Sequence, residues 1–258
     1  MTDFAPTDTL PGRVAVIAGG TGAIGMATAR RLAALGAHCV LLYGRRPAAE
    51  AEALAAALPV VADGQQHSAV PAEMLDSASL RAAAAAVQAR HGVVHILVNS
   101  AGRTQPVPAA NLEALTDTLI DEMLQVNFRG VVATMRAFMP LLQASGDGLI
   151  VNISSIAAFT GTGSNLAYAA AKAGIDVVGD ALARAFAPTV RVLTVSPGVV
   201  DTGFVPGRGA DFNAKTAATL PLRRVGTADD VAAAVQACAT TLRYATGTRL
   251  VVDGGRHL

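Results

Sequence analysis

The chain has 258 residues, of which 52% are apolar and only 4% aromatic, so Ala, Val, Leu and Gly must do most of the packing. Its 20 Lys and Arg residues nearly balance 19 Asp and Glu residues, and this net charge of +1 gives no indication of a nucleic-acid surface or an acidic partner. No apolar run approaches the roughly 20 residues that would span a bilayer.

The cysteines and histidines lack the spacing of a disulfide framework or a metal site. Cys39 and Cys238 are isolated in apolar segments, which is typical of small buried side chains in a reducing compartment. The five histidines include no His-Glu-x-x-His. Residues 1–12 are polar and do not resemble a signal peptide. We therefore expect a cytoplasmic protein without a metal, in which an N-terminal extension (1–12) precedes one domain (13–258).

Short apolar runs alternate with Ala-rich segments of helical period along the chain. The predicted strands are 13–18, 38–43, 66–70, 93–99, 149–154, 190–196 and 249–252, and the predicted helices are 23–35, 47–58, 77–90, 112–145, 166–187 and 229–242. Buried strands that alternate with crossover helices predict an α/β fold, a doubly wound parallel sheet of about seven strands with helices on both faces. A helix break is expected at 127–130, and an irregular substrate loop at 197–221.

A glycine-rich turn follows the first predicted strand. Gly20, Gly22 and Gly25 fit the pattern G-x-G-x-x-G between a strand and a helix. Such glycines allow a tight turn and a close approach of the backbone to a pyrophosphate, which the helix N-terminus stabilises. The alternative is a turn that binds nothing, but its place between strand and helix favours a dinucleotide and hence a Rossmann fold.

Tyr168 and Lys172 are four residues apart in a predicted helix, so their side chains share one face. An ammonium group beside a phenol stabilises the phenolate, which predicts a lowered pKa for Tyr168. A tyrosine tuned in this way can exchange a proton with a substrate oxygen. Ser155, at the end of the strand 149–154, could hold a hydroxyl nearby. The pair by itself is a weak signal that favours the alternative, an ordinary amphipathic helix that carries an exposed lysine.

Three more segments carry weaker signals. The residues from Asn99 to Gly102 end a strand with small side chains, which would leave room for a ribose. Asn127 lies inside a helical run and needs hydrogen-bonding partners, so it either caps a break or holds a water. The segment from Pro197 to Thr202 forms a turn, in which Thr202 could bind a ligand amide. A plain turn or loop is the alternative for the first and third of these segments.

Together, these segments resemble the classical short-chain dehydrogenase/reductase family over nearly the whole chain, from about Arg13 to Leu258. The family motif T-G-x-x-x-G-x-G corresponds to Ala18-Gly19, Ala23, Ile24 and Gly25, the motif N-N-A-G to Asn99-Ser100-Ala101-Gly102, and the motif P-G-x-x-x-T to residues 197–202. The chain departs from the family at Ala18 and Ala23 in the glycine motif. His95 replaces the usual Asp before the fourth strand, and Glu73 the usual Asp after the third.

The resemblance implies an NAD(P)-dependent oxidoreductase that transfers a hydride between nicotinamide and a carbonyl or alcohol, with 3-oxoacyl thioesters among the candidate substrates. It implies that Tyr168 is the acid or base and that Lys172 lowers the pKa of Tyr168 and holds the nicotinamide ribose. It also implies that Ser155 binds the substrate oxygen and that Asn127 anchors a water. The full predicted set of cofactor-binding residues, which includes Arg45, is Gly19, Thr21, Gly22, Ile24, Gly25, Arg45, Asn99, Ala101, Gly102, Tyr168, Lys172, Pro197, Gly198, Val200 and Thr202.

The end of the second predicted strand bears on the choice of cofactor. In nicotinamide-binding folds an acidic residue here selects NAD, whereas an Arg accommodates the 2′-phosphate of NADP. Tyr43 occupies the usual acidic position, and Gly44, Arg45 and Arg46 follow. We therefore predict that NADP is preferred over NAD and that Arg45 is the main determinant. The alternative is a solvated turn.

We expect the partners to be a small-molecule substrate and further copies of the same chain, and neither nucleic acid nor a membrane. A homotetramer is predicted, partly because the family resemblance implies it and partly because the helix 166–187 carries a second apolar stripe of Ile175, Val178, Leu182 and Phe186. Two other classes remain open. One is a nucleotide-binding sensor without catalysis, and the other is a nucleotide-sugar epimerase or dehydratase, which we expect to need a larger domain than the 6 residues after Val252.

Overall fold

One sheet of seven strands organises the computed structural model, which describes residues 7–207 and 209–258. All neighbouring strands are parallel, in the order β3-β2-β1-β4-β5-β6-β7. The strands are β1 (Val14–Ala18), β2 (His38–Tyr43), β3 (Ser68–Pro71), β4 (Ile96–Asn99), β5 (Gly148–Ile153), β6 (Val190–Pro197) and β7 (Thr248–Val252). The strand order reverses between β1 and β4, and such a reversal opens a crevice at the carboxyl ends of the strands. The predicted doubly wound α/β fold is confirmed.

Helices connect these strands on both faces of the sheet. They are α1 (Ala23–Ala34), α2 (Ala48–Ala56), α3 (Ser77–His91), α4 (Asp117–Leu124), a π-helical turn (Gln125–Arg129), α5 (Gly130–Ala144), α6 (Ala157–Thr160), α7 (Leu166–Phe186), α8 (Phe212–Thr219) and α9 (Ala228–Ala239). The prediction of an irregular loop over 197–221 was wrong at α8, an eight-residue helix too short to show a clear apolar period. Arg208, also in that range, lies outside the described residues.

The predicted helix break at 127–130 is instead a widened turn. The backbone passes from α4 through the π-helical turn into α5 without leaving the helical conformation. Thr116 begins this run, since its side chain accepts a hydrogen bond from the N–H of Leu119. A π-helical turn inserts one extra residue in a helix and is frequent at functional sites. Here it turns Asn127 inward, where the side chain is fully buried.

The core has two layers because every central strand buries both of its faces. On one face, Ala15 and Ile17 of β1 pack against Leu32 of α1 and Val235 of α9. On the other face lie α3, α5 and α7, with residues such as Leu80, Val87, Phe138, Leu142 and Ile175. A smaller apolar cluster joins Leu119 and Met123 of α4 to Ala167, Tyr168 and Ala169 of α7. This third cluster fixes the start of α7 against α4.

The predicted N-terminal extension (1–12) is only partly described, since residues 1–6 lie outside the described range. Leu10 is buried, and its N–H donates to the carbonyl oxygen of Leu35 at 2.6 Å. The N–H of Thr7 donates to the carbonyl oxygen of Thr240 at 3.2 Å. Residues 7–12 therefore pack on the ends of α1 and α9. Within the described range, no helix combines the length and the apolar character needed to cross a membrane.

Candidate active site

A cleft of about 1420 Å³ lies where the carboxyl ends of the strands meet the following loops. Its walls come from the turns after β1, β2, β4, β5 and β6, from the start of α7 and from the segment 202–212. Parallel strands direct all their carboxyl ends to one edge of the sheet, so loops that are distant in sequence converge there. The crevice predicted from the alternation of elements is therefore where most of the predicted site residues meet.

The glycine turn after β1 is shaped by close backbone contacts. Gly19 has a φ of +73°, a conformation that L side chains rarely adopt, and a Cβ there would lie 2.7 Å from the Cα of Ala101. A Cβ on Gly25 would lie 2.3 Å from the carbonyl oxygen of Gly19. Gly22 precedes α1 without a side-chain cap, so the first amide groups of that helix face the cleft. This turn can bind an anion such as a pyrophosphate.

The corner beyond β2 holds both arginines that were singled out from the sequence. Arg45 and Arg46 line the cleft together with Tyr43, Glu50 and Glu73. Arg46 pairs with the carboxylate of Glu50 at 3.1 Å, and it donates to the carbonyl oxygen of Thr21 at 3.3 Å. Arg46 is thus tied to the glycine turn, whereas Arg45 is exposed at the mouth of the cleft. Because Arg46 is engaged by Glu50 and Thr21, Arg45 is the cation best placed to meet an incoming anion.

Asn165 positions the tyrosine. Its side-chain oxygen accepts a hydrogen bond from the N–H of Tyr168 at 2.7 Å and caps α7, while its Nδ2 donates to the carbonyl oxygen of Gln105 at 2.8 Å. Asn165 thereby joins the start of α7 to the loop after β4. The hydroxyl groups of Thr104 and Ser164 share a further hydrogen bond across this junction. The sequence analysis missed Asn165, although an Asn three residues before Tyr168 at a helix start is a recognisable capping signal.

Ser155, Tyr168 and Lys172 are brought together as predicted. The Ser155 hydroxyl and Tyr168 both line the cleft, and Ser155 lies close enough to lower the pKa of the tyrosine. The ammonium group of Lys172 lies 5.6 Å from the centre of the Tyr168 ring and donates to the carbonyl oxygen of Ile153 at 2.8 Å. Tyr168 and Lys172 are both buried. The alternative of an exposed lysine on an amphipathic helix is thus wrong.

The expected lowering of the Tyr168 pKa is corrected by the structure. Burial raises the pKa of Tyr168 to about 12, and the hydrogen bond to Ser155 opposes this rise. Burial also lowers the pKa of Lys172 to about 8, against the charge of Asp176. The free energy needed to remove a phenolate from water is larger than the stabilisation that the nearby ammonium group provides. Tyr168 therefore keeps its proton near neutral pH, the state that a proton donor requires.

Asn127 lies behind the cleft and not on its wall. Its Oδ1 accepts from the N–H of Arg103 at 3.1 Å, and its Nδ2 donates to the carbonyl oxygens of Arg103 at 2.9 Å and Met123 at 3.0 Å. It thus holds the loop after β4 against the π-helical turn. A Cβ on Gly102 would come within 2.8 Å of this Oδ1, so Gly102 must be small for packing reasons.

The other predicted site residues divide between the cleft and the structure behind it. Asn99 is buried within the sheet, and its Nδ2 donates to the side-chain oxygen of Asn152 at 2.8 Å. Asn99, Gly25 and Asn127 are not among the described residues that line the cleft. Those that do line it are Gly19, Thr21, Gly22, Ile24, Arg45, Ala101, Gly102, Ser155, Tyr168, Lys172, Pro197, Gly198, Val200 and Thr202.

The end of the cleft nearest Tyr168 is largely apolar. The ring of Phe204 lies 6.1 Å from that of Tyr168, and Val205, Phe212 and Pro106 line the same region. Arg103 also borders it, but its guanidinium pairs with Glu122 at 3.2 Å. This part of the site suits an uncharged or apolar group beside the tyrosine hydroxyl.

The residues of the cleft fit a dinucleotide. Bare amide groups at the start of α1 suit a pyrophosphate, and the close packing of Gly19 on Ala101 leaves backbone rather than side chain at that wall. The buried ammonium group of Lys172 can bond a ribose hydroxyl. Across the described ranges 7–207 and 209–258, no group of three or more His, Cys, Asp or Glu side chains could hold a metal ion.

Comparison with known proteins agrees with this geometry. A family model described as enoyl-(acyl carrier protein) reductase matches residues 19–257. A Streptomyces violaceoruber protein assigned as ketoacyl reductase 2 of the granaticin polyketide synthase is 38% identical, over 98% of this chain and 99% of that protein. The 3-oxoacyl-[acyl-carrier-protein] reductase of Escherichia coli is 30% identical, over 96% of this chain and 98% of that protein. The crystal structure of levodione reductase superposes with a TM-score of 0.87 at 27% identity, covering 96% of this chain and 98% of that one.

The fold and the cleft define a nucleotide-binding α/β oxidoreductase. The chain belongs to the classical short-chain dehydrogenase/reductase family, as the family model and the relatives over nearly its full length show. Members of this family use nicotinamide cofactors to interconvert carbonyl and alcohol groups. The resemblance read from the sequence motifs is therefore confirmed for the family, the fold and the class of reaction.

Proposed function

We propose that this oxidoreductase reduces the carbonyl group of an apolar substrate and that Tyr168, Ser155 and Lys172 carry the reaction. The observation that supports this proposal is that Ser155 and the ammonium group of Lys172 lie beside a buried, protonated Tyr168 on the wall of the cleft. The bound nicotinamide supplies the hydride. Tyr168 gives its proton to the substrate oxygen, and the Ser155 hydroxyl donates a hydrogen bond that stabilises the developing negative charge. In oxidation the proton moves the other way.

Asn127 has a supporting role in this proposal. Its side chain is occupied by the backbone of Arg103 and Met123, so it holds the loop after β4 in place. The carbonyl oxygen of Asn127 is part of the π-helical turn, where a widened backbone can accommodate a water that passes protons towards Lys172. Asn99, Gly25 and Gly102 support the cofactor site through packing of the backbone around it.

The test is the substitution Tyr168→Phe, which keeps the ring and its contact with Phe204 but removes the proton donor. We expect turnover to fall by roughly two to four orders of magnitude, the range for losing a general acid, while cofactor binding survives. Ketone reduction is followed by loss of NADPH absorbance, and cofactor affinity by fluorescence titration. Phe204→Leu is a matched control that alters the same ring contact without touching the proton donor. Turnover of Tyr168→Phe near the wild-type rate would overturn the assignment.

We also propose NADP(H) as the preferred cofactor, with NAD(H) accepted less well. Tyr43 replaces a carboxylate that would repel a 2′-phosphate, and Arg45 is exposed at that corner of the cleft. Glu50 is the nearest acid along the chain, and its carboxylate is paired with Arg46. The guanidinium of Arg45 can therefore bind the phosphate with charge-assisted hydrogen bonds.

The substrate class that we propose is a 3-oxoacyl thioester or a similar apolar ketone. Two of the relatives named above are 3-oxoacyl or ketoacyl reductases, and the region around Tyr168 and Phe204 is apolar. A panel of 3-oxoacyl thioesters, cyclic ketones and polyols, assayed with both cofactors, ranks these classes. Faster reduction of a polyol-derived ketone than of any thioester would overturn the choice.

A cytoplasmic homotetramer completes the proposal. Both cysteines, Cys39 and Cys238, are buried and free, as in proteins of reducing compartments. The apolar stripe that motivated the tetramer is corrected by the structure. Ile175 is buried, and Val178, Leu182 and Phe186 are partly buried against the same core, so these four residues pack within the chain. Support for oligomers comes instead from Val177, which is 69% exposed on the outer side of α7.

A further inference from the structure

Asp176 is an unusual residue on α7, because it is an acid buried to 4% exposure one turn after Lys172. Residues four apart on a helix share one face, and the charge of Asp176 acts on Lys172 by raising its pKa. A carboxylate is almost never buried without a charged or hydrogen-bonding partner. Neither the glycine motif nor the Ser, Tyr and Lys set accounts for this acid.

Arg249 of β7 supplies the partner for Asp176. Its Nη2 lies 2.7 Å from Oδ2 of Asp176. The register of the sheet places Arg249 next to Thr194, Asn152 and Asn99 in one row across four strands, on the face that α7 covers. This row makes the face of the sheet beneath α7 polar. The helix lies against it, since a Cβ on Gly179 would lie 3.5 Å from Nδ2 of Asn152.

The same guanidinium also contacts the segment that carries Ser155. The Cζ of Arg249 lies 5.0 Å from the centre of the Phe159 ring in α6, which follows Ser155 directly. The ring of His257 lies 6.0 Å from the Phe159 ring, and His257 pairs with Asp253. Arg249 therefore connects α6, α7 and β7 around Asp176.

We propose that Asp176 is a positioning residue for Lys172: its buried carboxylate, held by Arg249, keeps the lysine ammonium group charged and directed at the end of β5. The proposal rests on the proposed role of Lys172 in the reaction. Without a nearby anion, burial would favour the neutral amine, which can neither stabilise a phenolate nor donate as strongly to a ribose hydroxyl. The carbonyl oxygen of Ile153 fixes the direction of the ammonium group, and Asp176 supplies the charge.

The charged groups around this pair are few in the described part of the chain. On α7 they are Tyr168, Lys172 and, one turn further, the exposed Asp180; β7 contributes Arg249, and the C-terminal segment contributes the pair of Asp253 and His257. Burial raises the pKa of Asp176, whereas the Ser154 hydroxyl and the guanidinium of Arg249 lower it. Burial lowers the pKa of Lys172 to about 8, and Asp176 raises it. Burial thus opposes the charge on both groups, while Arg249 favours the charged form of Asp176 and Asp176 favours the charged form of Lys172.

The chain offers a direct measurement because it contains only two lysines, Lys172 and Lys215. Labelling with ¹³C-lysine gives two side-chain NMR signals, which Lys215→Arg assigns, and Lys215 is an exposed internal reference with 76% side-chain exposure. The ¹³Cε shift of Lys172 is followed against pH in the cofactor-free protein. In Asp176→Asn we expect the titration midpoint of Lys172 to fall by about one unit or more, the effect of losing an opposite charge at this range.

Three further variants make the result specific. Asp180→Asn removes the same charge from an exposed site on the same helix, and it should leave the Lys172 midpoint unchanged. Asp176→Glu retains the charge and should restore the midpoint towards the wild-type value. If Asp176→Asn alone does not fold, the double variant Asp176→Asn with Arg249→Gln, which leaves no arginine unpaired, is compared with Arg249→Gln alone, so that the two proteins differ only in the charge of Asp176. An unchanged Lys172 midpoint in the folded variant that lacks Asp176 would overturn the proposal.

Activity provides a second and separate readout. If Lys172 must be charged, the alkaline limb of the kcat/KM profile in Asp176→Asn should move to lower pH by as much as the NMR midpoint. A uniform loss of activity with an unshifted profile would indicate a purely structural role and would contradict the proposal. The NMR titration needs no turnover, so the absence of any carbonyl reductase activity would reject the proposed function without deciding the role of Asp176.

Discussion

At the scale of single residues, burial has a larger effect on the ionisation of Tyr168 than the neighbouring ammonium group does. The spacing of Tyr168 and Lys172 in the sequence gives their common helix face, but it does not give the depth at which they lie. Both are buried, and burial opposes the charged form of each. Because burial lowers the pKa of Lys172 to about 8, the charge of this lysine is sensitive to nearby charges such as Asp176.

Arg45 carries the prediction that belongs to this scale. Arg45→Ala should weaken NADPH binding by about tenfold or more, because a charge-assisted hydrogen bond contributes about 1.5–3 kcal/mol. NADH has no 2′-phosphate, so its affinity should stay nearly unchanged. Both dissociation constants can be measured by titration of the nicotinamide fluorescence.

Arg46→Ala is the matched control for this prediction. Arg46 holds the carbonyl oxygen of Thr21 in the glycine turn, so its loss should affect both cofactors alike. An equal loss of NADPH and NADH affinity in Arg45→Ala, or a wild-type enzyme that prefers NADH, would show that Arg45 does not select the cofactor.

At the scale of secondary-structure elements, a histidine ties the starts of three strands together. Nδ1 of His95 accepts a hydrogen bond from the N–H of Val14 at 3.0 Å, and the backbone of His95 bonds to Val14 and to Leu149. His95 occupies the position where the family usually has an Asp. Its imidazole can act as an acceptor there only while Nδ1 carries no proton. The hydrogen bond that joins the start of β1 to the residue before β4 therefore requires a neutral His95.

This dependence predicts a loss of stability in acid. Burial, with the charge of Arg13, lowers the pKa of His95 to about 4 in the folded state. The unfolded-state pKa of a histidine is about 6.5, above this folded-state value. The contribution of neutral His95 to the free energy of unfolding is therefore complete above pH 6.5 and is lost as the pH falls towards 4. The difference between the two pKa values corresponds to about 3 kcal/mol in the free energy of unfolding. Because the imidazole is partly exposed and screened by solvent, we expect about 2 kcal/mol.

The variant His95→Asn tests this explanation. An asparagine can offer its side-chain oxygen to the N–H of Val14 without titrating, so the thermal midpoint should depend less steeply on pH between about 7 and about 4.5. Differential scanning fluorimetry across that range measures the slope. Some slope should remain, because burial also lowers the pKa of His67 and of His91. A slope identical to that of the wild type would assign the acid sensitivity to other groups.

At the scale of the whole molecule, the last strand of the sheet lies at an open edge with apolar groups around it. Val177 of α7 is 69% exposed, Phe159 of α6 is 40% exposed and Val251 of β7 is 39% exposed. Val251 points to the same side of the sheet as Arg249, which contacts both Phe159 and Asp176. An exposed sheet edge beside apolar side chains is a surface that proteins usually cover.

We expect this surface to pair two copies within the proposed tetramer. Val177→Glu would introduce a charge on it and should reduce the mass measured by light scattering at micromolar concentration. Val61→Glu places the same change on a valine of similar exposure, 58%, in the loop after α2, and should leave the mass unchanged. A monomeric wild-type protein under these conditions would contradict the tetramer.

The alternation of strands and helices, the glycine turn and the spacing of Ser155, Tyr168 and Lys172 followed from the sequence, because local periodicity and short motifs record them directly. The structure decided what depends on burial and on residues distant in the chain. It showed that Ile175 and its three companions face the core, that Asn127 and Asn99 lie behind the cleft, and that the Tyr168 pKa is raised. The sequence places Asp176 four residues after Lys172 in a predicted helix. Its partner Arg249 lies 73 residues further along the chain (249 − 176 = 73), so only the structure could pair them. Charge and solvent exposure are properties of the assembled sheet, so no local pattern could predict them.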